Sequence, residues 1–595
     1  MNQLSADVLV VGGGTGGTAA AIQAARTGAN TILVSELPWL GGMLTAEGVA
    51  APDGNELLAW QTGLWGAYLR SLQQRQPNGL DHGWVSFFTY DPKLGAEIFA
   101  DWVAALPNLR WIIQQTPLEV LRQANQITGV RFADFTVQAQ ITIDGTELGD
   151  LLPLGNIPHR WGWEWRSQWS EPSAPLAETP LTRTYPVQVP TWVVMLRDFG
   201  NGAIAPEIPP APTWNPELFA GAWTGYDPLQ FLNYGRLPGD RLMINWPQRG
   251  NDYGEGIERL VGTPQARSQF LQESLWHSQN FACYLQCQLG RRYGLAQDAF
   301  PEQAPGGGAF ALQPYYRESR RLVGLTTIIE QDILPMPGAQ VAKLPVNEQG
   351  EITAIALGNY PNDHHYPSGD IPLQPKSIRW GGRWTGTPFT LPYSALIPAE
   401  VDGFLVCEKN ISVSHIANGA TRLQPLVLGI GQAAGMAAAL CVKHRCQPRD
   451  LPVRTLQSAL LSDPIAPAAI VPLFNLLPDH PDWLTWQHYY LDHPQAYPLD
   501  GTCADLAPPS ISCLPPDSPF LQVFTGTFDR LEAQNYGFSL DNGDSPPETV
   551  GDRWQLVTLD PSVNQQLQAC QTGQRLKLQG WANHSGRWIR VHALV

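Results

Sequence analysis

The segment VLVVGGGTGGTAAAIQAARTGANTILVSE, from Val8 to Glu36, constrains this chain more than any other. Apolar Val8–Val11 leads into Gly12, Gly14 and Gly17 in G-x-G-x-x-G spacing, with Thr15 and Gly16 between them and an Ala-rich helical stretch running on to Gly28. TILV supplies a second strand, and Glu36 ends it ~24 residues after the first glycine, the offset of an acid that grips a ribose hydroxyl. Each part has a physical role. Gly12 permits the tight turn, Gly14 lets backbone N–H groups approach a pyrophosphate, Gly17 lets helix and strand pack, and the helix N-terminus carries partial positive charge. Strand, turn, helix and acid together predict a dinucleotide site, and an acid rather than an arginine at position 36 disfavours a 2′-phosphate.

FAD and NAD share that fingerprint, and the next residues bear on the choice. After Glu36 comes LPWLGGMLTAEGV, with Gly41, Gly42, Met43 and Thr45. ITIDGTELGDLLPLG follows at 141–155, and VDGFLVCEKNISVSHIANGATRLQPLVLGIGQAAGMAAALCV at 401–442 reads as strand, loop, helix. These segments resemble the FAD-dependent oxidoreductase family of the glutathione-reductase-like two-dinucleotide-binding flavoproteins, allied to fumarate reductase flavoprotein and L-aspartate oxidase. The resemblance implies that 41–45 run along the ribityl chain and under the isoalloxazine, and that Asp150 lies near the cofactor. It also places His415, Gly419, Arg422, Leu423 and Gln424 at the pyrimidine end, before a helix whose N-terminus faces the flavin N1–C2=O edge. One departure stands out: Gly145-Thr146-Glu147 replaces the usual Ala-Thr-Gly. Pro425 suits the first turn of that helix. Gly429, Gly431 and Gly435 imitate a second fingerprint but lie inside an Ala-rich helix, where close packing is the expected role.

Several absences narrow the chemistry. No His, Cys or Tyr occurs between Glu36 and Gly54, where fumarate reductases carry a flavin-linking His, so non-covalent FAD is expected. No C-x-x-x-x-C pair of disulfide reductases is present in that early region, and no second complete strand, glycine and acid unit offers an NAD(P)H domain. The eight cysteines lack C-x-x-C spacing; they are expected to be reduced and buried, with no metal site.

The length of 595 residues calls for two or three domains. The expected fold class is α/β, with a discontinuous Rossmann-like FAD-binding domain (1–154 and 396–460). An inserted α+β substrate or lid domain covers 155–395, a proline-rich surface linker 461–515, and a small OB-like β-barrel 516–595. In the barrel region LQVFTGTF, YGFSL and RWQLVTL read as strands, PSVNQQLQACQ as a helix, and RLKLQGWA and RWIRVHAL as two more strands. A formal charge of −16 argues against nucleic acid as partner, although Trp581 and Trp588 are candidates for stacking. The apolar run at 423–442 is interrupted by Gln424, Pro425 and Gln432 and reads as a buried helix rather than a membrane span. With no cationic leader, a cytoplasmic location is expected. The Trp- and Pro-rich middle of the chain reads either as a loop-rich domain pinned by indoles or as a pocket walled by them.

Three clusters offer catalysts. In YYRESRRLVG, Arg317 and Arg320 are candidates for clamping a substrate carboxylate, against local pairing with Glu318. In GNYPNDHHYPSGD, Asp363, His364 and His365 offer a general base and its orienter, against an ordinary polar turn. In SVSHIANGATRLQP, His415 and Arg422 offer positive charge near the flavin, against a structural His. The expected activity is hydride transfer between flavin N5 and a small organic substrate: an amine, amino acid, hydroxy acid or activated alkene. The alternative is an FAD-bearing scaffold whose barrel recruits a protein partner. An electron-transfer protein is a candidate partner in either case.

Overall fold

The computed structural model describes residues 2–76, 79–367, 369–504, 506, 521–541 and 553–595. Strands β1 (Asn2–Val11), β2 (Thr31–Val34), β3 (Leu109–Ile112), β4 (Glu119–Gln123), β5 (Gln126–Arg131) and β6 (Phe135–Asp144) form one sheet in the order β3-β2-β1-β6-β5-β4. β3, β2, β1 and β6 run parallel, with Val10 opposite both Leu33 and Ile143. β6 divides its outer edge. Its first half pairs antiparallel with β5, and Thr142–Asp144 pair in parallel with a returning strand, Phe404–Val406. The N-terminal unit and a segment some 260 residues later therefore complete one Rossmann-like sheet.

Helix α1 (Thr15–Arg26) and the long helix Gln424–His444 pack face to face beside that sheet. Glycines make this contact possible. A Cβ on Gly431 would stand 2.2 Å from the Gly16 carbonyl oxygen, and one on Gly435 2.1 Å from that of Ala20. These glycines serve packing, as the sequence predicts. Among the described residues Gln424–His444 is the one helix long and apolar enough to cross a membrane, and nearly all of it is buried inside the protein.

Between these parts the chain builds a second layer. Tyr293–Leu295, Val194–Asp198, Arg241–Ile244 and Arg236–Leu237 form an antiparallel sheet in that order, against the helix Pro264–Leu289. Phe281 and Leu285 of the helix close a core with Leu196 and Ile244. Thr263 caps the helix by accepting from the Ala266 N–H at 3.2 Å, and Pro264 occupies its first turn. Some of the indoles pin this layer: Trp192 and Trp246 are buried, while Trp214 and Trp384 are exposed, and Trp39 and Trp192 line the cleft beside the glycine turn.

Two expectations need correction. The stretch after residue 460, read as a surface linker, is built into the core as far as Cys503: Ile470, Val471, Leu473 and Phe474 are buried, and Gln487 accepts from the N–H groups of Ile470 and Val471. Its apolar residues, not its prolines, decide where it lies. The second proline-rich stretch, LAPPSISCLPPDSPF, falls beyond Leu506 outside the described residues, as does Cys513. Of the other cysteines, Cys283, Cys407, Cys441, Cys503 and Cys570 are buried, but Cys446 is half-buried and Cys287 is exposed rather than buried.

At the C-terminus Gln522–Glu532, Asn535–Leu540, Arg553–Val557, Arg575–Asn583 and Trp588–Leu594 form a closed five-stranded barrel, with helix Pro561–Ala569 after the third strand. The third strand lies parallel to the fifth. The indoles read as stacking candidates face the body of the protein. Trp588 packs on Phe87 with centroids 5.5 Å apart and donates from Nε1 to Asp81 at 3.1 Å, while Trp581 donates to the Asp81 carbonyl.

Candidate active site

The glycine turn is crowded on every side, which explains its composition. Gly12 has φ +107°, and a Cβ there would lie 2.1 Å from the Gly145 carbonyl oxygen. On Gly16 a Cβ would lie 1.7 Å from the Cys407 carbonyl oxygen, and on Gly17 2.1 Å from that of Gly12. From this turn a cleft opens between Ser35–Leu37, Gln115–Pro117, Thr146–Leu148 and Trp192. Glu36 and Asp150 line it. Burial, with Asp150 nearby, raises the Glu36 carboxyl. Burial pushes Asp150 up as well, but hydrogen bonds and charge from Arg267 and Arg320 outweigh it and leave Asp150 below its ordinary value. Arg267 lies 2.6 Å and Arg320 3.0 Å from the Asp150 Oδ1.

Toward the centre, Gly41 and Gly42 both adopt positive φ, and the Gly41 N–H donates to Thr18 Oγ1 at 3.0 Å. Thr15 Oγ1 donates to the Gly41 carbonyl at 2.8 Å, Thr45 Oγ1 donates to Leu40, and Met43 is fully buried. Two acceptors here have no partner: Glu147 Oε1 and Glu47 Oε2, both buried. Glu47 was not anticipated from sequence.

The inner cluster gathers distant segments. His365 Nε2 lies 2.9 Å from Asp363 and its Nδ1 3.1 Å from Asp252. Arg422 reaches Asp363 at 2.9 Å and donates to the Tyr315 hydroxyl at 2.5 Å, and Arg317 lies 3.1 Å from Asp252. Asp363 keeps 39 % of its side chain exposed, against 2 % for Arg422 and 3 % for Asp252, so it is the member presented outward. Burial opposes its charge, but His365 and Arg422 hold Asp363 well below the carboxylate range, and Arg317 and His365 bring Asp252 to about 2. Asp53 differs. Burial, reinforced by Asp363 and Glu56 against Arg383 and Arg422, raises it to about 7. Tyr360 donates to it at 3.5 Å, and its N–H donates to Gln424 Oε1 at 3.4 Å, which ties it to the start of the long helix.

The remaining candidates fall into two other groups. His364 lies 2.8 Å from the Tyr366 hydroxyl, which lies 2.6 Å from His415 Nε2; His415 Nδ1 is 2.9 Å from Glu318. Burial, then the nearby His415, lowers His364 to about 3, so it is neutral near pH 7. His415 is fully buried beneath Trp163, with ring centroids 3.8 Å apart. A Cβ on Gly419 would strike Asn362 and His364, so this glycine lets them pack over the helix His415–Thr421. Leu423 and Gln424 are buried at the start of the next helix. The arginines read as one clamp are dealt to three sites: Arg317 to Asp252, Arg320 to Asp150 and Arg321 to Glu318 and Glu164. Asp53 and Asp252 had no sequence signal, and only the fold brings them to Asp363; Tyr360 lies in the same segment as Asp363 but was not singled out.

A glycine turn on a parallel sheet, leading into the N-terminus of α1 at the head of the cleft, and an acid after the second strand define a dinucleotide-binding flavoprotein of the Rossmann type. The chain belongs to the FAD dependent oxidoreductase family, whose model matches residues 7–460. It is an FAD-dependent oxidoreductase. Solved structures similar to it include a geranylgeranyl bacteriochlorophyll reductase-like protein from Thermoplasma acidophilum, 11% identical over 77% of this chain and 84% of that one, TM-score 0.33. GidA of Aquifex aeolicus is 22% identical over 35% and 36%, TM-score 0.19, and p-nitrophenol 4-monooxygenase of Pseudomonas putida 12% identical over 33% and 49%, TM-score 0.21.

The residues present fit FAD at two of its three parts. Glu36 suits a ribose hydroxyl. Buried Glu47, whose Oε2 takes no donor from the described residues, suits a hydroxyl donor of a ribityl chain. At the glycine turn, where a pyrophosphate belongs, the chain has placed carboxylates of its own.

Proposed function

We propose that this oxidoreductase moves a hydride between flavin N5 and a carbon that bears an N–H or O–H group, as in an amine, amino acid or hydroxy acid. Bound FAD, held without a covalent link, supplies the two-electron carrier. The observation that carries the reading is the pair of unlike carboxyls at the inner cluster, Asp363 fixed as an anion and Asp53 raised to about 7. Asp363, oriented by His365 and Arg422, accepts a hydrogen bond from the substrate donor and holds it in place. Asp53 takes the proton, because a base with a pKa near the working pH combines availability with driving force. Arg317 holds Asp252 ionised, and Asp252 in turn orients His365. His364, His415 and Arg320 act as positioning residues.

The remaining assignments are part of the same proposal. Residues 1–154 and 396–460 form the FAD domain, 155–395 the substrate lid, and the closed barrel is OB-like by its strand order. Its docked indoles support a stabilising role over recruitment of a partner. The electron partner is not bound in a second nucleotide domain of this chain, whose sequence carries a single complete fingerprint; it is oxygen, a quinone, a nicotinamide or a protein. The test is anaerobic bleaching of the flavin spectrum with amino acids, amines and hydroxy acids, compared with NADH and NADPH. Bleaching by one of the first three classes that is lost in Asp363→Asn with FAD still bound supports the proposal. Bleaching by nicotinamides alone contradicts it.

A further inference from the structure

The first turn of α1 already holds an anion. The Gly16 N–H donates to Glu408 Oε1, and a Cβ on Gly14 would lie 2.5 Å from both Glu408 Oε1 and Glu147 Oε1. One on Gly42 would lie 2.6 Å from the same Glu147 oxygen and 2.7 Å from the Thr15 nitrogen. The two carboxyls thus fill the notch between the glycine turn and Gly42. Lys409 lies between them, paired with Glu147 and 3.2 Å from Glu408. Glu47 closes the far side, accepting from Gln313 at 2.9 Å. Side chains of Glu408 and Lys409 are fully buried, and Glu147 is 10 % exposed. Three carboxyls face one ammonium in a site of low dielectric, a local excess of two negative charges when all are ionised.

A pyrophosphate diester also carries about two negative charges and seeks the same N–H groups. Four uncompensated charges in a buried notch are not tolerable, since desolvation and like charge both favour neutral forms. We infer that Glu408 is an internal occupant of the pyrophosphate site, and that FAD enters as this carboxyl network takes up a proton and yields the α1 N-terminus. The inference rests on FAD as cofactor and concerns how the chain admits it.

The groups around Glu408 support the coupling. Burial first, then Glu147, raises Glu408 to about 7 against Lys409, and burial with Glu147 raises Glu47. Asp144 at the end of β6, raised by burial to about 7, Cys407 with a thiol pushed up by burial, and Tyr316 across the cleft complete the surroundings. None adds positive charge; Lys409 is the cation of the set. The sign follows. Binding of an anion raises the pKa of the carboxyls it meets, so protons are taken up on binding and affinity falls as pH rises through the carboxyl pKa near 7.

The test is FAD affinity of the full chain from pH 6 to 8.5, by flavin fluorescence and by calorimetry in buffers of different ionisation enthalpy. Kd is expected to rise toward tenfold per pH unit above about 7 with close to one proton taken up. Glu408→Gln, which keeps an acceptor for the Gly16 N–H, should bind FAD about thirtyfold more tightly at pH 8.5 and show a nearly flat profile. Parallel profiles for both proteins, weaker binding by the variant at every pH, or zero proton uptake by the wild type would overturn the inference. The wild-type calorimetry decides alone if the variant fails to fold. No binding at any pH would overturn the FAD reading itself, an outcome distinct from binding without proton uptake.

Discussion

At the residue scale the site depends on which carboxyl is neutral. Asp53 is raised to about 7 by burial and by Asp363 and Glu56, while Asp363 remains ionised. As a base Asp53 must be deprotonated, so kcat/KM in the oxidative direction is expected to rise with pH through about 7 and then level. Asp53→Asn should lower kcat by about 10²- to 10⁴-fold with FAD still bound, and a pH–rate profile of both proteins checks this. What could be read from sequence here was what has local spacing. Gly12, Gly14, Gly17 and Glu36 sit in one unit of about thirty residues; Gly12, Gly14 and Glu36 line the cleft, and Gly17 packs against Gly12. Asp53 and Asp252 lie far from Asp363 in sequence and are ordinary residues in isolation. The clustered arginines misled for a related reason: along extended backbone, side chains close in sequence leave in different directions, so Arg317, Arg320 and Arg321 serve separate carboxylates.

At the element scale the decisive contact is between α1 and Gln424–His444. Because a Cβ on Gly431 would meet the Gly16 carbonyl at 2.2 Å, Gly431→Ala must push apart the helix that presents the glycine turn. A loss of about 1–3 kcal/mol is expected, seen as a lower Tm, together with weaker FAD binding because Gly16 moves. Elements with a clear period were legible: the five barrel strands and their helix fall where alternation and Pro561 place them. The strap before Cys503 was not, because proline punctuation suggests surface while the apolar residues between the prolines are what bury.

For the whole molecule, the barrel is held to the FAD body by polar contacts around one buried acid. Asp81 accepts from Asn583 and from Trp588, and Arg590 and Arg383 oppose the rise that burial imposes on it. Arg383 also stacks between Phe87 and Trp588 at 4.4 and 4.7 Å. Asp81→Ala strands these donors and cations, so about 3–5 kcal/mol of stability should be lost. In calorimetry the barrel transition should separate from that of the body, whereas the native chain should melt as one unit. All of this presumes a chain built around one flavin. The most direct measurement is to purify the full protein, reconstitute it with FAD at pH 6.5, and denature it to release and count the bound cofactor. The account predicts about one FAD per chain, released intact without a covalent adduct. A correctly folded protein that stays colourless after reconstitution would contradict it.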